Sequence, residues 1–167
     1  NYFKGLKVSE KKGAEEERQP FKPEQLEKIF HNPKYAQNAE TSPAKYWAPL
    51  IGLFTGCRLE EICQAHVSDV RDEDGLWVIS FNNSEGKKIK TSSGVRDVPL
   101  HPYLVDELGF RDFVKMQAEA GHERLFPELN YIGHRYSHYV SKWFSKYTKS
   151  VEARTESDNR VVFHSFR

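Results

Sequence analysis

The sequence predicts a mainly α-helical chain with one small antiparallel β-sheet set into its middle. Three observations carry that prediction. Apolar residues recur at helical spacing through Tyr46, Trp47, Leu50, Ile51 and Phe54. Two short runs rich in β-branched and aromatic residues, Leu76–Phe81 and Val95–Leu100, then break the period. Helical spacing returns over Pro102–Ala120 and Tyr131–Ser150. At 167 residues the chain is long enough for one domain with a hydrophobic core.

The elements follow in order. Residues 1–20 carry a charged run from Lys11 to Arg18 without sustained periodicity, and read as a solvated linker; the alternative is a helix extending from a preceding domain. Pro23–Phe30 is a short amphipathic helix with Leu26, Ile29 and Phe30 on one face. Asn32–Thr41 reads as polar and irregular. Ser42-Pro43 is an N-cap and first-turn pair opening a helix that Gly56 ends in the left-handed conformation. A further helix starts at once from Arg58, so Thr55–Arg58 is a tight corner between two buried helices. The polar segment Asn82–Gly94 joins the two strands, and Pro99 marks an edge or a strand end. Tyr136, Tyr139, Val140, Trp143, Phe144 and Tyr147 form one stripe of the last helix, a core face. Residues 151–160 are a loop before the apolar run Val161–Phe166.

Composition excludes several classes. The longest apolar stretch, Trp47–Thr55, is about half of the ~20 residues a membrane span needs. No secretory leader pattern opens the sequence, and two cysteines do not make a disulfide framework. The formal net charge is only +1, so nucleic-acid binding has to come from local arrangement and not from a global field.

Four places put a polar or cationic residue into an otherwise apolar setting. Arg58 directly follows the glycine corner, three residues before Glu61, a spacing that lets the carboxylate hold the guanidinium. The same pair also reads as a surface ion pair worth less than about 1 kcal/mol. Lys90 lies in the inter-strand segment with Lys87 and Lys88, where a lysine serves either a ligand or solvated edge protection. Lys142, Lys146 and Lys149 share one side of the last helix, in a window without a single acid; they suit either a phosphate backbone or a solvated face. His164 and Arg167, three apart, can hydrogen-bond one anion from two directions. Other constellations fail: Cys57, Cys63 and His66 lack a fourth zinc ligand, no Gly-Lys-Ser/Thr follows Gly52 and Gly56, and no serine sits in a Gly-x-Ser-x-Gly setting.

Taken together, three segments carry a resemblance. Thr55-Gly-Cys-Arg58-Leu-Glu-Glu61-Ile-Cys-Gln-Ala-His-Val-Ser-Asp69-Val resembles the first arginine box of the tyrosine recombinases, the phage-integrase family. Ile89-Lys90-Thr-Ser-Ser-Gly-Val-Arg96-Asp-Val-Pro99-Leu is similar to that family's β-hairpin lysine segment, and His164-Ser-Phe-Arg167 to its His-x-x-Arg box. The wording is nearest to the integrases of bacterial prophages and genomic islands. The resemblance spans about residues 20–167 and implies a tyrosine-recombinase catalytic-core fold.

It also implies site-specific DNA strand cleavage and religation through a 3′-phosphotyrosine, without metal or other cofactor. Arg58 and Arg167 would stabilise the transition-state phosphate, Lys90 would protonate the leaving 5′-oxygen and His164 would handle protons near the nucleophile. Glu61 would orient Arg58, and Lys87, Lys88, Lys142, Lys146 and Lys149 would track the DNA backbone. Arg96 is read as support at the strand end, outside the site. The partner implied is double-stranded DNA, bound by a tetramer of the intact protein in a bacterial or phage-encoded, cytoplasmic setting. None of the eight tyrosines follows the His-x-x-Arg box, where the family keeps its nucleophile. The expectation is therefore a catalytic domain over residues 21–167, incomplete at its C-terminal end, linked through residues 1–20 to a missing N-terminal DNA-binding domain. Such a fragment is expected to be monomeric and inactive in cleavage. Two other readings stand beside it: a non-catalytic DNA-binding protein on the same fold, and a helical interaction domain whose matches are accidental.

Overall fold

The computed structural model describes residues 19–89, 94–155 and 161–167. Lys90, the Ser92-Ser93 part of the inter-strand turn, residues 156–160 of the loop and residues 1–18 of the expected linker lie outside the described residues.

Helix α1 (Pro23–Phe30) leads into two one-turn helices, α2 (Pro33–Ala36) and α3 (Asn38–Thr41), where the sequence reading expects irregular chain. The Asn32 side chain accepts from the Lys34 N–H at 3.0 Å, and Asn38 donates back to the Lys34 and Tyr35 carbonyls. Polar side chains thus close turns too short to show a period.

Helix α4 (Pro43–Thr55) is the axis of the core, buried at Ala44, Trp47, Ala48, Pro49, Leu50, Ile51 and Gly52. Ser42 stands at its N-cap, but its hydroxyl makes no capping bond. Instead Glu128, far along the chain, accepts the Ala44 N–H at 2.8 Å, placing a carboxylate where the helix dipole favours one. Gly56 closes α4 at φ 64°, and α5 (Leu59–Cys63) starts immediately after Arg58. This corner matches the sequence expectation.

The sheet has three strands, one more than expected: β1 (Val70–Glu73), β2 (Leu76–Phe81) and β3 (Arg96–Pro99), antiparallel in that order. Three of the four residues of β1 are charged, and it shows no apolar alternation. What makes it a strand is the two-residue Asp74-Gly75 turn, both residues at positive φ, which folds it onto β2 with Glu73 opposite Leu76. Pro99 ends the edge strand β3, paired with Val78.

The expected helix over Pro102–Ala120 divides into a wide π-type turn, Tyr103–Glu107, and α6 (Phe110–Glu119), broken by Gly109 at φ 78°. The last helix, α7, spans His138–Ser150 and not Tyr131–Ser150. Its start is set by Glu60 of α5, whose two carboxylate oxygens accept the Tyr136 and Ser137 N–H groups at 2.9 Å each. On α7, Val140, Phe144 and Tyr147 enter the core, Trp143 is half-buried and Tyr139 is exposed.

The chain end folds as a 3₁₀ turn, Phe163–Phe166, laid across α4. Gly52 makes that possible. A Cβ there would lie 2.8 and 3.0 Å from the Phe163 ring and 3.3 Å from Phe166. Gly52→Ala is therefore expected to destabilise the fold by about 1–3 kcal/mol, as overpacked cores do. Chemical denaturation checks this; an unchanged midpoint would contradict it.

Candidate functional site

The Gly56–Arg58 corner brings Arg58, Glu61 and the Arg167 backbone together. Arg58, at the N-cap of α5, takes extended backbone angles, which turns its chain out of α4 and lets Glu61 fold back under it. The Glu61 carboxylate is only 3% exposed as a residue. It accepts the Arg58 backbone N–H at 3.1 Å and the Arg58 Nη1 at 2.8 Å. A third donor is Arg96 Nη2 at 3.0 Å, reaching across from β3. Burial by itself would push the Glu61 carboxyl upward; the hydrogen bonds from Arg96 and then Arg58 outweigh it and hold the group below the ordinary carboxylate range. Both arginine side chains remain about one-third exposed, so the cluster has a solvent-facing edge.

The chain end meets the same corner. The Arg167 backbone packs over Gly56: a Cβ there would stand in ordinary contact, 3.8 Å from Arg167 Cα and 3.9 Å from its Cγ. Gly52 and Gly56, one helical turn apart on α4, form the seat on which the His164–Arg167 turn rests. Folding thus sets Arg167 beside the loop that carries Arg58. The Arg167 N–H donates to the His164 carbonyl at 3.1 Å, and both side chains reach the exposed surface.

Arg96 was expected outside this cluster, and its contacts put it inside. Its Nη1 donates to the Gly94 carbonyl at 2.7 Å, its Nη2 also lies 3.3 Å from Cys57 Sγ, and its guanidinium stands 5.1 Å from the centre of the Phe81 ring, its partner across the strand pair. A sequence signal was present. Strand alternation puts Arg96 in phase with the inward Val98 while Asp97 and Pro99 face out.

Lys87 is the opposite correction. It was expected on a DNA-facing surface, yet its side chain is 4% exposed and its ammonium bonds both oxygens of the equally buried Asp69 at 2.8 Å. A lysine two residues from a turn reads as solvated until tertiary packing encloses it. Its neighbour Lys88 is exposed, with its backbone clamped by Gln64, which accepts the Lys88 N–H at 2.9 Å and donates to the Lys88 carbonyl at 3.0 Å. On α7, Lys142 and Lys146 are exposed and Lys149 is half-buried. Tyr147 is no candidate nucleophile: it donates to the Ile29 carbonyl at 2.6 Å, and burial pushes its hydroxyl up to about 12. Among the described residues no group of His, Cys, Asp and Glu is placed to hold a metal ion, and no helix is long and apolar enough to cross a membrane.

The helical body with its small three-stranded antiparallel sheet has the fold of tyrosine-recombinase catalytic domains. The phage integrase family matches residues 19–167, and the chain belongs to that family. No curated protein matches it in sequence. Among solved structures it resembles the XerH site-specific recombinase bound to difH substrate in a pre-cleavage complex, with a TM-score of 0.57 and 21% identity over 94% of this chain and 42% of that one. The XerH post-cleavage complex on palindromic difH gives 0.61 and 19%, over 98% and 44%. A lambda integrase (75–356) dimer bound to a COC′ core site gives 0.55 and 19%, over 95% and 51%. The chain spans about half or less of the length of each of these proteins.

Proposed function

We propose that this chain is the catalytic domain of a site-specific DNA recombinase that integrates or excises mobile DNA. The observation that carries the reading is the corner itself, where Arg58 and Arg96 share the buried Glu61 and Arg167 seats on Gly56. In the proposed reaction a tyrosine oxygen attacks the scissile phosphorus, the bond to the 5′-oxygen breaks, and Lys90 gives that oxygen its proton. The 3′-phosphotyrosine keeps the bond energy until a 5′-hydroxyl of another strand reverses the step. The five-coordinate transition state carries more charge on its equatorial oxygens than the ground state does. Fixed guanidinium groups at Arg58 and Arg167 therefore favour it selectively. Arginine suits the task because its planar fork meets two oxygens and keeps its charge at any working pH. His164 assists at the nucleophile or bonds a non-bridging oxygen.

Residues 1–167 are proposed to bind DNA as a monomer, while the intact protein supplies the attacking tyrosine and assembles as a tetramer on two duplexes. Lys88, Lys142, Lys146 and Lys149 are proposed to follow the phosphate backbone, in a protein acting on DNA in the cytoplasm. In a gel-shift series, duplex affinity of this chain is expected to fall steeply with added salt, and Lys142→Ala with Lys146→Ala to reduce the log–log slope by about two units. Salt-independent affinity, or none, would defeat the reading. Size exclusion checks the monomer.

A further inference from the structure

We propose that Arg96 is a positioning residue of the candidate site: by occupying Glu61 it leaves Arg58 a net cation, with its fork turned toward the exposed edge. The inference rests on the functional reading above and deepens it.

Three bonds converge on two carboxylate oxygens. Glu61 Oε1 takes Arg58 Nη1 at 2.8 Å, and Oε2 takes both the Arg58 backbone N–H at 3.1 Å and Arg96 Nη2 at 3.0 Å. Two guanidinium groups on one carboxylate leave a formal surplus of one positive charge. An isolated Arg58–Glu61 pair would leave none, and with only the Arg58 backbone N–H left on Oε2 the Arg58 fork would be free to close on the carboxylate in the bidentate form such pairs favour. Either change would weaken what Arg58 offers a phosphate.

Arg96 does not itself face a ligand. Three of its five N–H donors go to the Gly94 carbonyl, Glu61 and the Cys57 sulfur, and its guanidinium lies near the Phe81 ring. Those inward contacts, and its share in the buried Glu61, give it a supporting place beside Arg58. The residue type follows: a fork reaches a carbonyl on one side and a carboxylate on the other, whereas a lysine keeps the charge but offers only a single point charge.

The test uses the full-length protein and a nicked duplex carrying its recombination site, read as covalent protein–DNA complex against time. Arg96→Gln is expected to slow cleavage about ten- to a hundredfold at saturating DNA, as loss of a supporting residue does elsewhere, with DNA affinity changed less than about threefold. Glu61 is faced by Arg58 and Cys57 from its own corner and by Arg96 from β3. Removing one cation lets burial raise its carboxyl, so the acid limb of the rate–pH profile is expected to move to higher pH in Arg96→Gln. In Arg96→Lys that limb should return toward wild type and part of the rate with it. Wild-type rate and profile in Arg96→Gln overturn the proposal, as does a parallel loss of affinity and rate. If Arg96→Gln fails to fold by circular dichroism, the Arg96→Lys profile decides: a limb shift smaller than about 0.3 pH units with reduced rate supports the proposal, and an unaltered rate overturns it. A wild-type protein that forms no covalent complex would instead refute the functional reading on which it rests.

Discussion

Arg58→Ala in the full-length protein is expected to slow DNA strand cleavage by about 10²–10³-fold, the usual effect of removing one preorganised donor to a transition-state oxyanion. The loss should sit in the chemical step. Arg58 contributes one charge among several that meet the backbone, so duplex affinity should fall only a few-fold. Its own partner makes the substitution informative. Glu61 stays buried, and Arg96 still reaches it at 3.0 Å, so the carboxylate is not left without a cation and the fold should survive. A thermal midpoint within a few degrees of wild type, together with the collapse in cleavage, is the expected pair of results. Cleavage within tenfold of wild type would remove Arg58 from the proposed chemistry.

Asp69→Ala is expected to be the most destabilising single change, costing about 3–5 kcal/mol because it strands a buried cation. Asp69 accepts four hydrogen bonds: two from the Lys87 ammonium, one from Asn82 Nδ2 at 2.8 Å and one from the His66 N–H at 2.8 Å. What remains for Lys87 is Glu85, 3.5 Å away and about half exposed. For a domain of this size that loss lowers the melting temperature by roughly 10 °C or more. Replacing the pair together, Asp69→Leu with Lys87→Met, should recover much of it, since an apolar pair of similar volume has no charge to desolvate. A loss below about 1 kcal/mol in denaturant titrations of Asp69→Ala would mean that Lys87 finds water once its partner is gone.

Local signals proved readable where the physics is local. Pro23–Phe30, the Pro43–Thr55 helix, the left-handed Gly56 and the two apolar strands each follow from a handful of neighbouring residues, and the structure has them at those positions. Boundaries were misjudged where a distant side chain sets them. The Tyr131–Ser150 pattern suggested a longer helix because nothing in it announces that Glu60 holds the Tyr136 and Ser137 N–H groups. Ser42 looked like its own cap, while Glu128 does the capping. β1 exists through the Asp74-Gly75 turn and its partner strand, and not through any pattern of its own.

Residue types and their order along the chain were enough to place the chain in its family and, through that resemblance, to nominate Arg58, Glu61, His164 and Arg167 for one site. Burial was beyond their reach. Lys87 and Arg96 look alike as cations near a hairpin, yet one is enclosed against Asp69 and the other shares Glu61 with Arg58. Nor does the spacing of Gly52 and Gly56 reveal that a turn more than a hundred residues later lies across them. A charge's role depends on which oxygens surround it and how much water remains, and both are set by segments that meet only when the chain has closed on itself.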